Sequence, residues 1–311
     1  MAIRTVGIIG TGVIGASWTG LFLAHGLQVI VADPADGAGE KLAEHLKSIW
    51  PTLEKVGVAK GASLSNYRFV GPSLKDHYAE VDFVQENAPE RVDLKTRLIA
   101  EIDAATRSDV VIASSSSGLP SSKFIGDCVK NPGRVLIGHP FNPPHVMQLV
   151  EVVPHAGTDQ ASTDIAMAFY RSLGRHPVLI RQEIPGFAVN RLQAVLCNEA
   201  YSLVTRGIVT AEELDACMTT SLGPRWAVTG PLMSNAMGGG GGSDGFRHML
   251  EHLGPATRGW LDDTRAHSFQ WDLQSLDKLS ESVFNELKDK NVAALEQKRD
   301  SLLVEIFRLK K

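Results

Sequence analysis

"VGIIGTGVIGASWTGLFLAHGLQVIVAD", residues 6–33, decides the fold. A short apolar run, Val6–Ile9, leads into Gly10, Gly12 and Gly15; a helical pattern spans Val13–His25, and a second apolar run, Gln28–Ala32, closes on Asp33. The glycines fit G-x-G-x-x-G between a buried strand and a helix, with an acid 18 residues after the last of them. Gly10 permits the tight turn, Gly12 lets a pyrophosphate approach the backbone, and Gly15 lets helix and strand pack closely. The amides that open the helix, at Val13 and Ile14, face the phosphates with the positive end of the helix dipole. Asp33 accepts from the adenosine ribose hydroxyls and repels a 2′-phosphate, and Pro34-Ala35-Asp36 offers no arginine to receive one. The expected cofactor is NAD rather than NADP; the alternative is a glycine-rich turn in an unrelated α/β fold.

Outward from this stretch, short apolar runs alternate with amphipathic ones as far as about Ile180. Further strands are expected at Arg68–Val70, Asp82–Gln85, Val110–Ala113, Val135–Gly138, Leu149–Val153 and Pro177–Ile180, and helices at Ala38–Val56, Asp93–Ala104 and Gln160–Ser172. Alternation with largely apolar strands predicts an α/β fold, a Rossmann-type, doubly wound and mainly parallel sheet. After Pro185-Gly186 the pattern is helical only, from Asn190–Arg206 to Val292–Leu309. Two domains follow: 1–186, binding the dinucleotide, and 187–311, an all-helical domain for substrate and dimerisation. Gly238–Gly242 is expected to be a mobile loop.

A 311-residue chain with 43% hydrophobic and 21% charged residues is an ordinary globular composition for two domains. A net charge of −4 gives no reason to expect nucleic acid or an anionic membrane as partner. Cys128, Cys197 and Cys217 have no metal-ligand spacing, and their odd number argues for reduced thiols, so no metal is expected. No signal peptide fits before Ile3, no apolar stretch is long enough to span a bilayer, and the C-terminal residues are not a peroxisomal address. The expected location is cytoplasmic.

The second informative stretch is "GHPFNPPHVMQLVEVV", residues 138–153. His139 ends a strand, prolines force a turn, and Glu151 sits inside an apolar run, where an ionised carboxylate is costly unless paired. A chain reversal between adjacent strands would return Glu151 to His139. The carboxylate then holds one ring nitrogen and leaves the other to take a hydroxyl proton while hydride leaves the same carbon. A purely structural pair is the alternative. His145 and His155 read as turn residues on polar ground. Ser114–Ser117 follows a strand at the carboxyl edge, where doubly wound sheets bind ligands.

These motifs together resemble the 3-hydroxyacyl-CoA dehydrogenase family, most of all its branch containing L-gulonate 3-dehydrogenase and λ-crystallin. The carriers are GTGVIG, FVQENAPERVDLK (83–95), SSSSGL (114–119), HPFNPP with LVEVVPH, GFAVNRLQ (186–193) and SLGPRWAVTGP (221–231). The resemblance implies His139 as general base, Glu151 as the carboxylate orienting it, and Ser117 and Asn190 as the groups that hold the substrate oxygen. A register shift of one residue would choose Ser116 in place of Ser117. Glu90 and Lys95 are implied as contacts to the nicotinamide-side ribose and cofactor. A homodimer through the helical domains is also implied.

The substrate is less constrained. Where relatives that handle CoA carry a basic helical pair, Gly39–Gly61 offsets Lys41, Lys47, Lys55 and Lys60 with Glu40, Glu44 and Glu54. That favours a small hydroxy acid, with Arg225 as the cation for its carboxylate. The leading expectation is oxidation of L-gulonate at its 3-hydroxyl. L-3-Hydroxyacyl-CoA is an alternative, and so is L-carnitine, whose quaternary ammonium Trp226 could face. A crystallin-like structural protein or an NAD sensor is the non-enzymatic alternative.

Overall fold

The computed structural model describes residues 3–310. Contacts divide the chain into two compact units: one runs to Arg191 and includes Asp300–Phe307, and the other holds Leu192–Arg299 and the residues from Arg308 onward.

The first unit is built on an eight-stranded sheet. Its strands are β1 (Thr5–Ile9), β2 (Gln28–Ala32), β3 (Tyr67–Phe69), β4 (Phe83–Glu86), β5 (Val111–Ser114), β6 (Val135–Pro140), β7 (Leu149–Pro154) and β8 (His176–Leu179). Helices α1 (Val13–Ala24), α2 (Ala38–Val56), α3 (Val92–Ala105) and α4 (Gln160–Ser172) alternate with them. The spatial order is β3-β2-β1-β4-β5-β6-β7-β8, parallel except for the antiparallel pairing of β6 with β7. The order reverses between β1 and β4, and ligands of doubly wound sheets bind at that crevice, beyond the carboxyl ends of the strands.

Both faces of the sheet are covered, which is why the strands read as continuous apolar runs. On one face Trp18 and Phe22 of α1 stack at 5.3 Å, with Leu42, Leu46 and Leu53 of α2 and Phe169 and Tyr170 of α4 in the same cluster. On the other face Ile99 and Ile102 of α3 pack with Leu74, Tyr78, Phe124 and Phe187. The buried Asp103 of α3 ties this second layer to the approach to β6. Its carboxylate accepts the Arg134 guanidinium at 2.8 Å and the amides of Val129, Lys130 and Asn131. Burial raises the pKa of Asp103, but these donors outweigh it and hold the carboxyl below its ordinary value.

The second unit is helical: most of α5 (Val189–Thr205), then α6 (Ala211–Cys217), α7 (Gly223–Gly238), α8 (Gly245–Ala266), α9 (Leu273–Leu287) and part of α10 (Val292–Leu309). α7 bends at Gly230, whose φ is +70°, ahead of Pro231. The glycine run lies at the end of α7 and in the turn to α8, where a Cβ on Gly239 would stand 1.8 Å from the Gly245 carbonyl oxygen. His145 and His155 differ from the expectation of polar ground: both are buried. The His155 ring lies 3.1 Å from the Pro132 carbonyl and 3.0 Å from the Gly157 amide, and His145 Nδ1 lies 3.3 Å from the hydroxyl of Ser17 in α1. Neighbouring prolines and polar residues give no sign of these contacts, which come from α1 and from the segment before β6.

Removing one partner of a buried ion pair strands the other. Asp103→Ala is therefore expected to lower the free energy of unfolding in urea by about 3 kcal/mol. A loss below about 1 kcal/mol would show that the pair is solvated.

Candidate active site

The glycine turn meets β4 at the crevice. Gly10 has φ +88°, and a Cβ there would lie 2.8 Å from the Asn87 carbonyl oxygen. At Gly15 a Cβ would stand 1.9 Å from the carbonyl oxygen of Gly10, so the close approach of α1 to the turn admits glycine alone. Gly12 differs: a Cβ would meet nothing within 4 Å, so its Cα borders open space. Gly12 is also the N-cap of α1 and supplies no side-chain cap, which leaves the first-turn amides at Val13 and Ile14 without helical acceptors. An open cradle beneath unclaimed amides fits a diphosphate.

Asp33 stands at the end of β2, half-buried. Its Oδ2 accepts the Thr11 amide at 2.6 Å and the Thr11 hydroxyl at 2.8 Å, and its Oδ1 accepts the Ala35 amide at 2.8 Å. A carboxylate has about four acceptor directions, so these bonds aim it while leaving room for a ribose hydroxyl. Thr11, one of the unspecified positions between the glycines, thus orients the acid.

At the carboxyl end of β6 the antiparallel register sets His139 directly opposite Glu151. His139 Nδ1 lies 2.9 Å from Glu151 Oε2, which assigns the proton to Nδ1 and leaves Nε2 as the basic nitrogen. The other oxygen of Glu151 accepts the amides of Ala188 at 2.9 Å and Val189 at 3.1 Å, where α5 begins. Burial raises the Glu151 pKa; the bond from His139 and the two amides outweigh it, and the carboxyl is held below its ordinary value. Phe187, just before this helix, is buried with φ +48°, unusual for a bulky residue, and its ring lies 5.9 Å from that of His139. The backbone strain sits where the chain turns to aim the amides of 188 and 189 at Glu151.

The serine run divides its tasks. Ser114 is buried and donates to Glu86 at 2.5 Å; Ser115 bonds Asn87 at 2.7 Å and Gln85 at 2.8 Å. Ser116 is buried, donating to Glu90 at 2.8 Å and receiving the Leu119 amide at 3.1 Å. Ser117 is exposed, and so is the serine of the run placed to meet a ligand. Its carbonyl accepts Asn190 Nδ2 at 2.7 Å, which joins the first turn of α5 to the serine loop.

Lys95, the expected cofactor contact, is buried: the side chain is 1% exposed, with Nζ 2.9 Å from both oxygens of Glu86 and 3.0 Å from the Ala88 carbonyl. A buried ammonium must be paired, and α3 presents it to the acid ending β4. Glu86 itself escaped the sequence reading, although an acid in the run FVQE carries the same signal that exposed Glu151. Glu90 is partly exposed, and its Oε1 receives the amides of Ser117 and Gly118, both at 3.0 Å. Arg225 belongs to the other unit, exposed near the start of α7; Trp226 beside it is half-buried with its indole nitrogen buried and unpaired among the described residues. Among the described residues no group of His, Cys, Asp and Glu could hold a metal ion, and no helix is long and apolar enough to cross a membrane.

A diphosphate cradle and an imidazole base on one sheet edge suit transfer of hydride to a nicotinamide, which places the chain among the NAD-dependent oxidoreductases. Comparison with known proteins narrows the class. Residues 5–184 match the 3-hydroxyacyl-CoA dehydrogenase NAD binding domain and residues 186–268 the C-terminal domain of the same family. The chain belongs to the 3-hydroxyacyl-CoA dehydrogenase family, and NAD is its cofactor. It is 51% identical to a 3-hydroxyacyl-CoA dehydrogenase of Gibberella moniliformis over 308 residues, covering 99% of this chain and 95% of that one. It is 41% identical to an L-carnitine dehydrogenase of Nocardiopsis dassonvillei over 309 residues, covering 99% and 92%. Among solved structures, 5-formyl-3-hydroxy-2-methylpyridine 4-carboxylic acid 5-dehydrogenase, an NAD+-dependent dismutase, superposes with a TM-score of 0.80 at 28% identity, covering 99% of both chains.

The lowered pKa of Glu151 has a consequence for stability. Its contribution is complete above the unfolded glutamate pKa and is lost as pH falls through the lower folded value. Wild type is expected to exceed Glu151→Gln in unfolding free energy by a constant margin above about pH 5, narrowing below it. A margin independent of pH down to about pH 3 would show that Glu151 is not held ionised.

Proposed function

We propose that the protein oxidises the 3-hydroxyl of a small 3-hydroxy acid to the 3-oxo acid, using NAD+. The observation that carries this reading is the His139–Glu151 pair, with His139 Nδ1 2.9 Å from the carboxylate oxygen and Nε2 left to act as base. His139 Nε2 takes the hydroxyl proton, and Glu151, kept ionised by the start of α5, balances the imidazolium charge that results. The Ser117 hydroxyl and the second N–H of Asn190 donate to the oxygen as it becomes a carbonyl, and Asn190 is aimed by the Ser117 carbonyl. Bound NAD+ supplies the acceptor for the hydride leaving the substrate carbon. The amides at Val13 and Ile14 would hold its diphosphate, and Asp33 would accept from the adenosine ribose.

A free acid is preferred over a CoA thioester because α2 is one amphipathic helix. Its Lys41, Lys47 and Lys55 alternate with Glu40, Glu44 and Glu54, so it offers no cationic face to the phosphates of CoA. L-Carnitine is the first candidate, supported by relatives of 37–41% identity that carry the name L-carnitine dehydrogenase, and L-gulonate is the second. The 3-hydroxyacyl-CoA reading is supported by the relative at 51% identity with that name and by the description of the matching family. Arg225 is assigned to the substrate carboxylate and Trp226 to a quaternary ammonium.

NADH or NADPH formation is to be measured from L-carnitine, L-gulonate, L-3-hydroxybutyrate and L-3-hydroxybutyryl-CoA, each with NAD+ and NADP+. Turnover of a free acid with NAD+ is expected, falling by roughly 10² or more in His139→Ala while NADH affinity holds. Turnover of the thioester alone would move the protein to acyl-CoA oxidation.

We further infer a cytoplasmic homodimer formed by the helical unit. That unit leaves Val195 on α5 72% exposed, Leu232 on α7 70% and Trp260 on α8 65%, large apolar side chains that pairing with a second copy would cover. Light scattering is expected to give twice the chain mass, and Val195→Asp a shift towards one chain mass. A wild-type monomer would remove the inference.

A further inference from the structure

Gln85 of β4 and Tyr170 of α4 are buried on the sheet face that α1 and α4 cover, among aromatic and aliphatic side chains. Polar groups in such a layer are costly unless paired, and these two open a connected set. The Tyr170 hydroxyl donates to Gln85 Oε1 at 2.6 Å; burial pushes its pKa above the ordinary phenol range, so it stays a donor. With its oxygen claimed, the Gln85 amide directs Nε2 the other way. It donates to Ser115 Oγ at 2.8 Å and to the Gly138 carbonyl at 3.2 Å. Ser115 also receives the Trp18 indole N–H at 3.2 Å and donates its own hydrogen to Asn87 Oδ1 at 2.7 Å. Asn87 Nδ2 closes the set on the carbonyls of Gln85 at 2.9 Å and Ile9 at 3.3 Å. Every side-chain hydrogen of the set has its acceptor, so no member can turn over without stranding another.

The two ends of the set touch the two halves of the site. Asn87 abuts the glycine turn: a Cβ at Gly10 would meet its carbonyl oxygen at 2.8 Å, and one at Gly15 its Nδ2 at 3.2 Å. Gly138 immediately precedes His139, and a glycine inside a strand is the place where its backbone is most free. The pairing of β5 with β6 ends where Ser114 faces Ile137. Gln85 therefore reaches from β4 past the last rung and holds the next carbonyl of β6. Small residues clear its way: Ala113 stands beside Gln85 on β5, and a Cβ at Gly138 would overlap the Tyr170 hydroxyl.

We propose that Gln85 is a positioning residue, locked by Tyr170, that fixes the strand end carrying His139 against the Ser115–Asn87 pair beside the glycine turn. It sets the spacing between the base and the diphosphate cradle, which lie on strands that do not pair with each other. The proposal rests on the reading above of His139 as the base. Tyr170 touches nothing that reacts; it acts through the orientation of the Gln85 amide.

The experiment compares full-length Gln85→Leu, Tyr170→Phe, their double variant and Leu173→Ala with wild type. Leu173 belongs to the same apolar cluster and has no polar side chain, so its variant reports loss of packing alone. The first readout is the NMR signal of the His139 ring without ligand, assigned by its absence from His139→Ala. The second is NADH stoichiometry and affinity by fluorescence titration. The third is the single-turnover rate of hydride transfer from bound NADH to the 3-oxo form of the best substrate of the panel.

Gln85→Leu is expected to shift the His139 signal and slow the single turnover about tenfold, with NADH affinity within about twofold of wild type. Tyr170→Phe should act in the same direction by about threefold, and the double variant should be no slower than Gln85→Leu alone. Leu173→Ala should lower stability and leave both the signal and the rate unchanged. If Gln85→Leu does not fold, Tyr170→Phe carries the same readouts. A His139 signal unmoved in the folded variants, equal slowing by Leu173→Ala, or losses that multiply in the double variant would each overturn the proposal. If wild type turns over no substrate of the panel, the functional reading fails, and the His139 signal alone decides whether Gln85 positions the ring.

Discussion

The carboxylate of Glu151 is the point on which the site depends. One oxygen faces the imidazole of His139 across two strands, and the other collects the amides that begin α5. A buried anion without such partners would be protonated or would force the chain open. The same group therefore sets the ring tautomer, keeps a negative charge beside the base, and fastens the first turn of the helix carrying Asn190 to the sheet edge. Phe187 accepts an unfavourable backbone conformation next to it, and its buried ring against His139 is part of what holds it there.

The fold was legible because buried strands announce themselves. All eight strands fall within one or two residues of the apolar runs, and Gln160–Ser172 and Ala38–Val56 match their helical patterns residue for residue. The antiparallel β6–β7 pair was also readable, since a glutamate in an apolar run demands a partner and His139 was the nearby candidate. Legibility ended where partners come from distant segments. Asp103 sits in the apolar stripe of its own helix, but Arg134 and the amides of 129–131 reach it from a loop no spacing rule connects to it. His145 and His155 were misplaced for the same reason: polar neighbours in sequence say little about which side of a loop faces inward.

Residue types shared across a family can also stand in different contacts. Lys95 occupies the position that the resemblance gave to a cofactor contact, and its ammonium is held by Glu86 and a backbone carbonyl. Ser116 and Ser117 are adjacent and chemically identical, and only burial separates the one spent inside the turn from the one left accessible. In both cases sequence supplies the chemistry, and the three-dimensional neighbourhood allocates it.

The pairing of β6 with β7 bears on folding as well as on chemistry. Cross-strand partners run Ile137 with Val153, Gly138 with Val152, His139 with Glu151 and Pro140 with Val150. Hydrophobic residues on either side of the pair could tolerate a slide of two positions, because faces would be preserved and one aliphatic chain would meet another. Glu151 makes every such slide expensive, since it would confront Ile137 or Phe141 with an ionised oxygen and abandon the helix amides. The acid thus works as a key that fits one alignment of the two strands. A chain that has locked this hairpin has, in the same event, brought His139 and Glu151 together, so a misthreaded but compact species would lack both the register and the pair.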